Sequence, residues 1–154
     1  MRSVVWLIAT AACAQTLTIR PVQTSPGAEF QVEISIASPA GKAPPILKWD
    51  TIFPAQLVDL VSNGAEAGKA AKDSGKSIAC NRQKPYSYTC ILFGGQKPIA
   101  NGIIATIRFK VHADAPPGKT TVRVQKVDAA TMDAKPFTMP DAEAPLEIRI
   151  APSR

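Results

Sequence analysis

Few residues in this chain could do chemistry, and their spacing limits what that chemistry is. The single histidine, His112, sits beside Ala113 and Asp114. A hydrolase would need a nucleophile and an orienting acid assembled around it. No Gly-x-Ser-x-Gly elbow occurs, and Ser74-Gly75 lies in a loose, glycine-rich stretch. His112 therefore reads as a structural residue at a strand end, and no catalytic residue is assigned. Asp128, Asp133, Asp141 and Glu143 are too irregularly spaced for a calcium loop or a paired-carboxylate site, and they read as a solvated loop. No metal and no cofactor is expected.

Cys80 and Cys90 flank the stretch Asn-Arg-Gln-Lys-Pro-Tyr-Ser-Tyr-Thr. Opposed residues of an antiparallel pair share a constant index sum. A hairpin that sets Cys80 against Cys90 thus also sets Ile78 against Leu92, on the same face. A zinc site would need two further ligands, and His112 is remote in sequence. The pair is read as a disulfide, and closing so short a loop stabilises by about 3 kcal/mol on the chain-entropy model. The remaining candidates are aromatic: Trp49, Tyr86, Tyr88 and Phe93. Trp49 lies on a patterned strand and reads as core. If Tyr86 and Tyr88 both face outward, two residues apart, they form a platform on which a sugar could stack.

The elements that would position these residues are strands. Ile103, Ala105, Ile107, Phe109 and Val111 alternate with Ile104, Thr106, Arg108 and Lys110, a period of two that marks a strand with one buried face. Pro116-Pro117-Gly118 breaks the run, and Val122 and Val124 then alternate with Thr121, Arg123 and Gln125. Further strands are read over 16–20, 29–36, 46–51, 56–62, 76–82, 87–94 and 146–150. The stretch 63–75 has room for one helical turn, and 128–145 is read as a long connection. Many short strands with turn residues between them indicate an all-β sandwich or barrel.

The first fourteen residues read as an address. Arg2 is the positive region, Val4-Val5-Trp6-Leu7-Ile8-Ala9 the apolar core and Ala12-Cys13-Ala14 the cleavage signature. The expectation is a signal peptide over 1–14, one domain over 15–154 and export from the cell; lipidation at Cys13 is the competing reading. No later run is long and apolar enough to span a membrane. The net charge of +6 comes from scattered single residues, not from a basic run interleaved with aromatics, so nucleic-acid binding is not expected.

The order of segments resembles the cohesin family. Ser25-Pro26-Gly27-Ala28-Glu29-Phe30-Gln31-Val32 is similar to its glycine turn into the second strand. Leu47-Lys48-Trp49-Asp50 with Leu57-Val58-Asp59-Leu60-Val61 resembles its aromatic-Asp element followed by a leucine strand. Pro98 to Val111, Ala115-Pro116-Pro117-Gly118 and Thr121-Val122-Arg123-Val124 resemble its late strands. The likeness spans roughly 17–150. The cysteine pair is a departure from the family pattern, and Trp49 stands where Tyr or Phe is commoner.

The resemblance implies a nine-stranded jelly-roll, immunoglobulin-like β-sandwich that binds a dockerin-like module on another chain, linked to polysaccharide-degrading assemblies. It nominates the outer face of the sheet holding the strands over 46–51, 76–82, 87–94 and 120–128. The patterning says what that face would offer: Lys48 and Asp50 opposite a buried Trp49, and Thr121, Arg123 and Gln125 opposite buried Val122 and Val124. Arg82, Tyr86 and Tyr88 would add a guanidinium and aromatic area. A carbohydrate-binding module and a structural extracellular or envelope protein are the alternatives.

Overall fold

The computed structural model describes residues 14–150; the signal-peptide core and Cys13 lie outside them. Eleven strands and one short helix build two facing sheets. The strands are β1 (Thr16–Ile19), β2 (Val22–Thr24), β3 (Glu29–Ala37), β4 (Ile46–Ile52) and β5 (Val58–Ala67), then α1 (Lys69–Asp73). They continue with β6 (Ser77–Lys84), β7 (Ser87–Phe93), β8 (Gly102–Val111), β9 (Gly118–Ala130), β10 (Pro136–Met139) and β11 (Ala142–Ile148). One sheet runs β1-β3-β8-β5; the other runs β2-β11-β9-β4-β7-β6, with β10 also paired to β9.

The expected nine strands become eleven because β2 and β10 form outside the stretches read as strands. Arg20-Pro21 ends the first strand, so that β1 stays in the smaller sheet while β2 crosses to pair in parallel with β11. Proline has no amide to give to a ladder, which suits it to such a switch point. The stretch expected to be a long connection, 128–145, is mostly strand. β9 runs on to Ala130, and β10 and β11 lie end to end along it. The last strand accordingly begins at Ala142 instead of Leu146. β5 also extends past 62 to Ala67, through an irregularity between Leu60 and Ala65. The anticipated helical turn is α1, which packs on β8.

Between the sheets lies a core containing Ile34, Leu47, Trp49, Leu92, Ile107, Phe109 and Leu146, each fully buried. Phe109 stacks on Phe30 at 5.6 Å and meets Phe53 at 5.0 Å. The Trp49 indole N–H donates to Thr51 Oγ1 at 3.1 Å, which satisfies a buried polar pair inside the apolar layer.

Two bulges reset the alternation. In β8 the register slips opposite Ile34/Ser35, so Ile104 is a buried extra residue and Ile103 falls opposite Ser35. The expected assignment of Ile103 to the buried face and Ile104 to the wetter one is thereby corrected. In β9, Lys48 opposes Asp128 while Asp50 opposes Gln125, leaving Lys126 and Val127 both across from Trp49. Lys126 has φ 51°, the left-handed first position of a bulge where glycine is usual. The extra residue lets Val122 and Val124 on one side, and Val127 and Ala129 on the other, all face the core.

Candidate functional site

The outer face of the larger sheet is laid out by register. Cys80 pairs with Cys90 and Ile78 with Leu92, as the constant index sum requires, and the disulfide is formed. Trp49 lies across from Cys90. The bridge is therefore on the inner face, and residues of opposite parity face out. One row across the sheet is Ala79, Ile91, Lys48 and Asp128; the next is Asn81, Thr89, Asp50 and Gln125. After a slip between Arg82 and Lys84, the third row is Lys84, Ser87, Ile52, Arg123 and Glu143.

Lys48, Asp50, Thr121, Arg123 and Gln125 are thus on the outer face, as the patterning anticipated. Two expected members are not. Arg82 pairs with Tyr88, and Tyr88 also pairs with Thr51, which is buried beneath Trp49. Both residues follow the parity of the cysteines, so both belong to the inner side. The Tyr88 ring is half-buried against the core, and burial pushes its phenol above the usual tyrosine value. Arg82 sits at the margin of the sandwich, with its guanidinium 5.6 Å from the centre of the Phe53 ring and donating to the Pro85 carbonyl at 2.6 Å. Arg82 remains exposed there, and of the two tyrosines only Tyr86 is exposed, at 45%, in the turn between β6 and β7. The two-ring sugar platform does not form, because its second ring points into the protein.

Phe93 is among the aromatic candidates of the sequence, but its grouping with Ile46 and the groove on this face are not anticipated there. Ile46 and Phe93, 37% and 40% exposed, lie with half-buried Ile91 at one end. Parity could have found them, since they alternate with buried Leu47 and Leu92. Toward the other end is a groove of about 470 Å³. Lys48, Asp50, Ile52 and Thr89 form its floor, Gln83, Lys84, Tyr86 and Ser87 one wall, and Gln125 and Lys126 the other. Lys126 reaches the groove only because of the bulge. On the groove floor, Thr89 donates its hydroxyl to Asp50 Oδ1 at 2.6 Å.

The histidine is elsewhere, on the opposite sheet. His112 Nδ1 lies 3.0 Å from the Gln56 carbonyl oxygen and Nε2 lies 2.9 Å from Asp59 Oδ1. Both partners accept, so the protonated ring satisfies both, donating from each nitrogen. The hydrogen bond to Asp59 is the main reason that the imidazole pKa is raised. A ring held in this way ties β5 to the end of β8. Among the described residues, no group of three or more potential metal ligands occurs, and no helix is long and apolar enough to cross a membrane.

No protein-family model and no curated protein matches the sequence. Solved structures do match in three dimensions. The sixth cohesin of scaffoldin B from Acetivibrio cellulolyticus, in complex with a mutant dockerin, is similar at a TM-score of 0.74 and 13% identity, over 90% of this chain and 99% of that one. A type I cohesin–dockerin complex from Clostridium thermocellum gives 0.76 at 19% identity, over 88% and 99%. A cohesin module of a Clostridium perfringens family 33 glycoside hydrolase gives 0.76 at 8% identity, over 90% and 98%.

Proposed function

We propose that this chain, which has the cohesin fold, is a non-catalytic recognition module whose partner is a dockerin-type module on another chain. One observation carries the reading. The outer face of β9-β4-β7-β6 keeps large apolar side chains, Ile46 and Phe93, more than a third exposed beside polar groups. Exposed apolar area on an otherwise polar sheet is what a protein partner would bury. The histidine has both nitrogens committed to structure, which supports a binding role over a hydrolytic one.

The test is titration of the recombinant domain against a panel of dockerin modules by calorimetry, beside pull-down on insoluble polysaccharide. Binding to at least one dockerin, lost in Phe93→Asp and Ile46→Asp without loss of fold, is the expected result. Retention on polysaccharide with no dockerin bound would move the assignment to sugar recognition.

Export is part of the same proposal. A disulfide fits an oxidising compartment. The Gln15 side chain donates to the Lys42 carbonyl at 2.6 Å, so the ordered domain already includes the residue expected to be first after cleavage. Intact mass of secreted material should place the N-terminus at Gln15. A lipidated Cys13 would replace soluble export by membrane anchoring.

A further inference from the structure

The recognition face is electrically lopsided. On the β11 side its cations are matched: Arg123 lies 3.9 Å from Asp141 and 3.8 Å from Glu143, and Arg149 pairs with Glu147 at 2.8 Å. In the groove they are not. Lys48, Lys84 and Lys126 line it and are exposed, and none has a carboxylate within 4.0 Å among the described residues. Asp128 is across the ladder from Lys48 but outside the groove lining. The one carboxylate within the groove, Asp50, is engaged by the Thr89 hydroxyl. Lys84 instead sits over the Tyr86 ring at 5.8 Å.

Lys126 adds a second line of evidence. Its backbone occupies a left-handed conformation in which a lysine is more strained than glycine would be. The bulge could be made more cheaply with glycine, yet the residue present carries a cation to the groove wall. Strain kept at a surface position is a pointer to use.

We propose that the groove takes a carboxylate-bearing segment of the partner, so that the dockerin-type surface recognised here is acidic beside its apolar contact. This rests on the recognition reading above and names the chemistry of its partner. The spacing follows from β4. Lys48 is two residues from Ile46, about 7 Å at the usual rise, and Lys84 shares a row with Ile52, six residues from Ile46, about 20 Å. The partner must present acidic side chains within that range of an apolar anchor. On a helix, at about 1.5 Å per residue, that is about one to four turns.

A charge-swap titration tests this. The wild-type domain and a Lys48→Glu/Lys84→Glu/Lys126→Glu variant are each measured against two forms of one dockerin module. One form carries Asp and Glu on its contact helix, and in the other those residues are changed to Lys. Melting curves check that the variant is folded, and Lys84→Glu alone serves if it is not. Wild type should prefer the acidic form by at least tenfold, weaken as salt rises, and exchange its preference in the variant. Preference of wild type for the basic form would overturn the inference and leave the recognition reading standing. So would indifference of the variant to charge while Phe93→Asp abolishes binding. Failure of both forms, and of the whole dockerin panel, would remove the reading and the inference together.

Discussion

Replacing Lys126 separates the cost of its backbone from the use of its side chain. At φ 51° an L-residue carries a penalty of about 1–2 kcal/mol that glycine avoids. Glycine in turn loses about 0.5–1 kcal/mol more on folding through the entropy of its unfolded chain. Lys126→Gly should therefore leave stability unchanged or raise it by up to about 1.5 kcal/mol. For a domain of this size that is an upward shift in Tm of zero to about 6 °C. Lys126→Ala is the control. It removes the same ammonium and keeps the penalty, so it should stay within about 2 °C of wild type and melt at or below the glycine variant, by up to about 6 °C. Differential scanning calorimetry at one pH and salt concentration reads both. An alanine variant more stable than the glycine variant by about 0.5–1 kcal/mol would refute the reasoning, because only glycine's chain entropy would then separate the two and the left-handed backbone would carry no cost. A glycine variant destabilised by more than about 1 kcal/mol would refute it differently, by showing that the lysine stem contributes packing that outweighs the relief of strain.

Three further outcomes are expected. Denatured, unreduced protein should contain no titratable thiol between Cys80 and Cys90, and reduction should cost up to about 3 kcal/mol, read as a Tm lowered by roughly 10 °C; two free thiols would remove the bridge. Thr51→Val keeps the shape but leaves the buried Trp49 N–H without its acceptor, so urea titration followed by tryptophan fluorescence should show a loss of about 1–3 kcal/mol; an unchanged midpoint would mean that the indole finds another partner. His112 has its pKa raised, chiefly by the hydrogen bond to Asp59, so the stability it contributes is fully present below the ordinary histidine value and is lost as pH rises through the raised one. The Tm gap between wild type and His112→Gln should accordingly be widest at acidic pH and close on the alkaline side; a gap that widens with pH would reverse the assignment of charge.

Much of the fold was legible because alternation is a direct record of burial. Phe30, Val32, Ile34 and Ile36 in β3 and Leu47 and Trp49 in β4 face the core as their spacing says. Legibility failed where one extra residue enters a ladder. A bulge shifts the phase by one without altering composition, so Ile103 and Ile104 exchange roles in β8. The stretch after Gln125 likewise hides Val127 as a core residue. Side chains on two strands settle whether a bulge exists, and a single strand read alone cannot. Arg82 and Tyr88 are a different failure. The index sum that pairs Cys80 with Cys90 also pairs Arg82 with Tyr88, and both share parity with a cysteine that lies against Trp49. The polar character of Arg82 matches its exposed side chain at the sheet margin, while the parity it shares with Cys80 sets it on the opposite side from Asn81.

The same parity argument limits what the face can recognise. With Tyr88 turned inward, the hairpin offers one exposed ring, Tyr86, set in a turn and covered in part by the Lys84 ammonium. A single ring next to a cation is a poor stacking platform for a sugar chain, which gains from successive rings, but it suits a protein surface that brings both apolar area and charge. The disulfide contributes by fixing the register of β6 on β7, which decides that Asn81 and Thr89 share a row with Asp50 while Arg82 and Tyr88 lie beneath. A slip of one residue would turn every one of these side chains to the other face. The covalent bridge therefore bears on the proposed recognition as well as stability: it holds β6, an edge strand among the described residues, in the alignment that places Gln83 and Lys84 along the groove wall.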